Sequence, residues 1–277
     1  MVMACTLGGF MLHHGQLMTL FVPTEYLIIG GCLVGGMIVR NDVSTLIGLI
    51  KDFFGLLAGA GVKKKHYVEL LRMLYELFQL SRREGLLALE THASEPKESS
   101  IFQRYPSFLK NHTAVHYLCD SLKLFAAGVL DPHNMDELME RDLEIIKHHA
   151  LKPSGALSNG ADSLPAIGIV AAVLGIILTM GSIDQGAVAV GQKVAGALVG
   201  TFLGVFLAYG FVAPIAGALA EVVEGKVRYI ECMRHVLSAV VAGVTPAMAV
   251  EVGRRTIDEH ARPSFEELEK ALREKAE

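Results

Sequence analysis

Between Ser163 and Ile183 the chain runs for 21 residues without a formal charge. At 1.5 Å rise per residue such a stretch makes a helix about 31 Å long, which matches a hydrocarbon core of about 30 Å. We therefore read it as a transmembrane helix. A second uncharged run, Val194 to Ala220, has 27 residues, enough to span with tilt or to continue as a helix into water. Tyr26 to Val39 has 14 uncharged residues and is extended at the interface by Pro23 and Thr24, giving a weaker span. Met1 to Leu12 is short at 12 residues, and reads either as part of a span that starts upstream of this numbering or as a buried stub. A cleaved leader is disfavoured, because no basic segment precedes the run and no small-residue cleavage site follows it.

The charges sort around these runs. Of the 25 Lys+Arg, 15 lie in residues 40–160 and 9 in residues 221–277, and the connection from Asp184 to Lys193 holds one. Arg40, Lys51, Lys226 and Arg228 sit near span ends, where the excess of positive charge marks the cytoplasmic side. The expected chain is all-α and polytopic, with four spans in two hairpins and both termini cytoplasmic. Its parts are a first hairpin (1–39), a cytoplasmic helical domain (40–160), a second hairpin (161–220) and a cytoplasmic helical tail (221–277). The mean hydropathy of +0.42 and net charge of -4 exclude a disordered chain and give no basic stripe for nucleic acid. Cys5, Cys32, Cys119 and Cys232 are scattered without a CxxC pair, as free thiols on a reducing side are.

The cytoplasmic parts have helical periodicity. Leu70, Leu71, Leu74, Leu77 and Phe78 repeat at 3.6 residues within His66–Glu90. Further helices are expected over Phe108–Leu130 and from Met135 to about Ala150, the latter with Asn134 as N-cap and Glu137 as its box partner. Lys152 to Gly160, rich in Ser, Gly and Pro, reads as a linker. After the fourth span Glu221–Val241 continues as helix, and Ser264 and Glu267 stand at capping-box spacing before a charged terminal helix.

The motifs of common enzyme classes are absent, with no Walker loop, HExxH or GxSxG, so no enzyme and no cofactor is expected. His112, His116 and Cys119 could present three soft ligands on one helix face, yet no fourth ligand is indicated and an exposed helix face explains the same residues. The bareness of the spans is more telling. A transporter acting alone usually keeps an ionisable group inside the membrane. The third and fourth spans have none, Asp162 and Asp184 only flank the third, and Glu25 stands at the edge of the second. A titrating carboxylate for ion handling must then come from a partner chain. Gly196, Gly200 and Gly204 repeat every four residues, with Gly168 and Gly175 two turns apart on the preceding span, so helix backbones can approach closely, within one subunit or between subunits. The hydroxyls of Ser163, Thr179, Ser182 and Thr201 either line a wet path or bond back to their own helix.

The stretch from Asp162-Ser163-Leu164-Pro165-Ala166 to Val173 resembles the third-span signature of the MotA family, the stator subunit of the bacterial flagellar motor. Val199-Gly200-Thr201-Phe202-Leu203-Gly204, with Tyr209-Gly210-Phe211 and Pro214, is similar to the family's fourth span. Glu95-Pro96-Lys97-Glu98-Ser99 with Tyr105-Pro106, Ala249 to Arg254, and Arg262-Pro263-Ser264-Phe265 follow in the same order. Gly8-Gly9 corresponds to a point well inside the family's first span, which fits a late-assigned start. The resemblance implies a bacterial inner-membrane protein that forms a homopentamer around a MotB pair and converts proton flow into torque for motility and chemotaxis, with MotB supplying the titrating aspartate. It implies a contact between Arg82 and Glu90 and the rotor protein FliG, and conformational coupling through Pro165 and Pro214. Thr201, Ala172, Gly200 and Gly204 fall on the ion path or partner-helix packing, and Ala172, where sodium-driven relatives tend to carry threonine, favours protons. From the residues alone, Pro165 is equally a first-turn proline and Pro214 an ordinary kink. The alternative family reading is an ExbB/TolQ-type energiser of an envelope process.

Overall fold

The computed structural model describes residues 1–59, 61–128, 130–181, 184 and 186–273. Among them there are helices and turns and no strands. The helices are α1 (Val2–Leu12), α2 (Pro23–Arg40), α3 (Val43–Leu57), α4 (Lys64–Glu84), α5 (Leu87–Ser94), α6 (Pro106–Leu109), α7 (His112–Ala127), α8 (Pro132–Met180), α9 (Ala187–Leu207), α10 (Ala213–Val241), α11 (Pro246–Arg255) and α12 (Phe265–Arg273). Three stretches are long and apolar enough to cross a membrane, Leu17–Arg40, Pro132–Met180 and Ala187–Val241, and α1 is a shorter apolar helix. Ser182 and Ile183 lie outside the described residues.

The chain divides into two compact units, one of residues 1–59 and 151–221, the other of residues 60–150 and 222–277. Residues 40–59 and 151–160, expected with the helical domain, thus pack with the hairpins. The reason is visible in α3 and α8. α3 shows an apolar stripe of Val43, Ile47, Ile50, Phe54 and Leu57 to the outside, while on its other side a Cβ on Gly48 would lie 3.1 Å from Pro153 Cγ. Lys152–Gly160 is no linker: it lies inside the 49 residues of α8, which carries Pro153 and Pro165 in its interior. Each proline removes the ladder bond to the carbonyl four residues before it, and the helix continues through both positions; separately, Ser154 Oγ donates to Leu151 O (2.9 Å) and Ser163 Oγ to Gly160 O (2.7 Å). The core of this unit is Ile29, Leu164, Ala171, Val199, Leu203 and Ala208.

The second unit is built on α4. Its Leu71, Met73, Leu74 and Leu77 are fully buried, because the 3.6-residue apolar repeat turns one stripe inward under α5, α11 and α12. The expected His66–Glu90 helix breaks at Gly85, whose φ of +89° lies in the region glycine alone enters freely, so Arg82 lies in the last turn of α4 and Glu90 belongs to α5. The cap of α8 also differs from expectation. Asp131, not Asn134, accepts the backbone N–H groups of His133 (3.0 Å) and Asn134 (3.1 Å), since Pro132 fits the first helical position and moves the start three residues earlier. Glu137 pairs instead with Arg141 one turn on. The Ser264–Glu267 box forms as read, with Glu267 N donating to Ser264 Oγ (3.0 Å) and Ser264 N to Glu267 Oε2 (2.6 Å).

Candidate functional site

The glycines of α8 and α9 meet backbone to backbone. A Cβ on Gly168 would lie 2.7 Å from Gly200 O and 3.0 Å from Gly204 Cα, and one on Gly204 would lie 2.6 Å from Leu164 O. Glycine is what lets the two helices cross this closely. Gly196, in the same four-residue series, faces open space within this chain. Ala172 is buried, and its backbone N lies 3.2 Å from where a Gly200 Cβ would be. Thr201 follows Gly200 and is half-buried. The hydroxyls of Ser163 and Thr179 bond back to their own helix, Thr179 Oγ1 donating to Gly175 O at 2.8 Å.

Into this crossing comes a side chain from α2. Glu25, in the first turn of α2, is only 4% exposed. Its Oε2 occupies the space where a Cβ on Gly200 would be, and its Oε1 lies 3.6 Å from the Cβ position of Gly175. Oε2 has no hydrogen-bond partner among the described residues. A carboxyl read from sequence as a span-edge group is in fact buried between the two barest helices. At the third position of a helix, glutamate is ordinarily read as a complement to the helix dipole. Only the small residues at 175 and 200, in distant parts of the sequence, signal the notch.

The two prolines sit at irregular points. Pro165 is not a first-turn residue but lies deep in α8, next to Leu164, whose carbonyl faces Gly204. Pro214 follows a π-helical turn at Ala208–Val212 and is the second residue of α10. The missing proline N–H falls where the ladder is already widened, a form common at functional positions. Around the crossing, Ile169, Val170, Val173, Ile176 and Ile177 of α8 are exposed, an apolar surface larger than a chain in water leaves bare.

In the second unit Arg82 and Glu90 are both exposed, on either side of the Gly85 turn. Arg82 Nη2 donates to Gly243 O at 3.5 Å, and neither residue forms an ion pair among the described residues. Both are open to a charged partner. Ion pairing is concentrated elsewhere. Glu251, 8% exposed, accepts from Arg254 Nε (2.7 Å) and Nη2 (2.8 Å) and from Arg255 Nε (2.9 Å). The hydrogen-bonded Arg254 guanidinium holds its carboxyl down at about 2. His112 and His116 are exposed while Cys119 is buried in α7, and no cluster of metal-binding side chains occurs among the described residues.

Residues 1–85 match the model of the motility protein A N-terminal region, and residues 111–232 that of the MotA/TolQ/ExbB proton channel family. The chain is 37% identical to motility protein A of Salmonella typhimurium over 98% of its own length and 92% of that protein's. It belongs to the motility protein A family. Chemotaxis protein LafT of Vibrio parahaemolyticus is 36% identical over 99% of this chain and 96% of its own. In fold the chain is similar to C. jejuni MotAB, with a TM-score of 0.73 at 21% identity, covering 96% of each chain. It is similar also to the flagellar MotAB stator complex from Bacillus subtilis, with a TM-score of 0.70 at 23% identity, covering 97% of this chain and 94% of that one. Membership of this family together with the long apolar helices makes the protein a multi-pass inner-membrane protein.

Proposed function

We propose that the chain is a stator subunit of the bacterial flagellar motor that, with a MotB partner, conducts protons and turns their flow into torque on the rotor. The observation that carries this is the α8–α9 pair, closely crossed, with an exposed apolar flank and no Asp or Glu from Ser163 to Met180 or from Ala187 to Leu207. Such a pair offers a partner helix a surface to move against and leaves the cycling charge to that helix. MotB then supplies an aspartate, and five copies of this chain surround the MotB pair within membrane lipid, with both termini cytoplasmic. Protonation of the MotB aspartate removes its charge and biases the contact with α8 and α9 between two arrangements. Pro165 and the π turn before Pro214 are where the backbone yields, while Thr201, Ala172, Gly200 and Gly204 border the route. Arg82 and Glu90 pair with complementary charges on FliG. The near full-length likeness to motility proteins favours this over an ExbB/TolQ-type energiser.

A strain lacking the chain is expected to build flagella that do not turn. Wild-type protein restores swimming, whereas Arg82→Glu and Glu90→Lys restore assembly without normal swimming. Wild-type motility from both charge reversals would remove the rotor-contact assignment, and a strain without filaments would remove the stator reading. For the ion, swimming is expected to stop on addition of a protonophore and to be indifferent to sodium. The opposite dependence in tracked cells overturns proton coupling.

A further inference from the structure

We propose that Glu25 is a proton-binding site that this chain itself contributes to the ion route. The proposal rests on the reading of the chain as part of a proton-conducting complex, and goes beyond it in giving this subunit a titrating group of its own. Three observations converge on it. The side chain is 96% removed from solvent, counting its 4% exposure. Its Oε2 has no hydrogen-bond partner among the described residues, although buried polar atoms are nearly always paired. And the notch that receives it is built from residues too small to be placed there for bulk: Gly175, Ala197, Gly200, Ala171 and Ala172.

Among the described residues the notch offers the Oε2 of this carboxyl neither a cation nor a donor. Thr179, buried nearby on α8, spends its hydroxyl on Gly175 O. Tyr26, the adjacent residue of α2, donates to Leu20 O at 3.4 Å. α8 has no ionisable side chain from Ser163 to Met180, and α9 has only Lys193, which is exposed and has interactions of its own. An ionised carboxylate without a partner is expensive to keep out of water, whereas a carboxylic acid is far cheaper. A group in such a place therefore couples its proton to the state of the notch. When α8 and α9 close on it, it holds a proton. When they part and water or a partner carboxylate reaches Oε2, it can give that proton up. The position matters because Gly200 and Ala172, already assigned to the route, line the same notch.

The step is a plain proton transfer. A hydronium in the water-filled part of the route gives its proton to Glu25, forming the O–H bond at Oε2 and leaving water. That bond then breaks as the partner's carboxylate takes the proton, and Glu25 is left ionised for the next cycle. No electrons change hands.

The test uses the full chain in complex with MotB, reconstituted in lipid vesicles with a pH-sensitive dye inside. Glu25→Gln keeps the size and a polar head, and is expected to co-purify with MotB in normal yield while proton flux falls by about tenfold or more. Glu25→Asp, which retains a carboxyl, recovers part of the flux. Flux of Glu25→Gln equal to wild type means the residue only packs the notch, and overturns the proposal. Infrared spectroscopy of the unmutated complex carrying isotope-labelled glutamate does not depend on any variant folding. A protonated-carboxyl band that disappears and returns as the pH is cycled is expected, and a spectrum with no such titrating band also overturns it. The parent reading fails differently: the wild-type complex would then conduct no protons, or would conduct them undiminished when the MotB aspartate is changed to asparagine.

Discussion

Gly204→Ala is expected to leave cells with little folded chain in the membrane, while Gly196→Ala, eight residues earlier on the same helix, leaves its amount and thermal stability unchanged. The two substitutions are chemically identical and both replace glycine by the best helix former, a change worth up to about 1 kcal/mol in favour of the helix where nothing obstructs it. What differs is the surroundings. The new methyl at 204 would lie 2.6 Å from Leu164 O, 2.8 Å from Gly168 Cα and 3.2 Å from Gly168 N, whereas nothing lies within 4 Å of that at 196. Those obstructing atoms are backbone, so no rotamer change relieves them and α8 and α9 must separate. Overpacking of a tight core costs about 1–3 kcal/mol, and separation also strips contacts from Leu203, Ala171 and Ile29. Quantitative immunoblots of membranes and thermal unfolding in detergent read both variants. Equal loss from both would mean that the glycine spacing matters through contacts outside this chain.

The second large effect is expected at Glu251. Glu251→Ala removes the carboxylate that receives two hydrogen bonds from Arg254 and one from Arg255, and leaves the Arg254 guanidinium, 13% exposed, with only the carbonyl of Pro263 at 3.0 Å among the described residues. Breaking a buried pair by removing one member costs about 3–5 kcal/mol, because the other charge stays buried without compensation. The pH dependence carries a sign. Arg254 holds the Glu251 carboxyl down at about 2, below the ordinary value of 4.5, so the folded state binds this proton more weakly than the unfolded state does. The stabilisation is fully present above about 4.5 and is lost as pH falls toward 2. Thermal unfolding of wild type and Glu251→Gln is therefore expected to differ by a constant amount between neutral pH and about pH 5, with the gap narrowing below that. A gap unchanged at pH 3 would assign the effect to packing rather than charge.

The helices of the second unit were legible because their signal is local. The apolar stripe of α4, the Ser264–Glu267 box and the helical run from Glu221 to Val241 each lie within a few turns of sequence, where 3.6-residue periodicity and cap spacing decide. The motif containing Glu251 and Arg254 was legible as a resemblance, and the ion pair now gives it a physical cause. Three features were not legible. The Ser, Gly and Pro of Lys152–Gly160 carry the composition of a linker, and their packing on α2, at Gly160 beside Leu33, and on α3, at Pro153 beside Gly48, is set by distant parts of the sequence. Gly85 falls inside an unbroken helical pattern, and its positive φ is set by the turn that follows. Glu25 was visible as a residue but not as a buried one, since the notch is assembled from α8 and α9, which lie more than a hundred residues further on. In the glycine series, spacing marked Gly196, Gly200 and Gly204 alike, and the approach of α8 separates the last two from the first.

The π turn at Ala208–Val212 sets an angular phase. Such a turn holds one residue more than the helix on either side needs, and each residue of an α-helix advances the side-chain direction by about 100°. Ala216 and Leu219 of α10 are buried at 3% and 1%, on the face of the hairpin that this offset selects. Drawing the turn into an α ladder with all its residues kept would carry those two side chains about 100° round and off the core, bringing Ala218, now exposed, toward it, whereas removing one residue from the turn would leave them buried. The chain can thus re-aim the start of α10 by the length of one turn, without changing a single residue of the helix that follows.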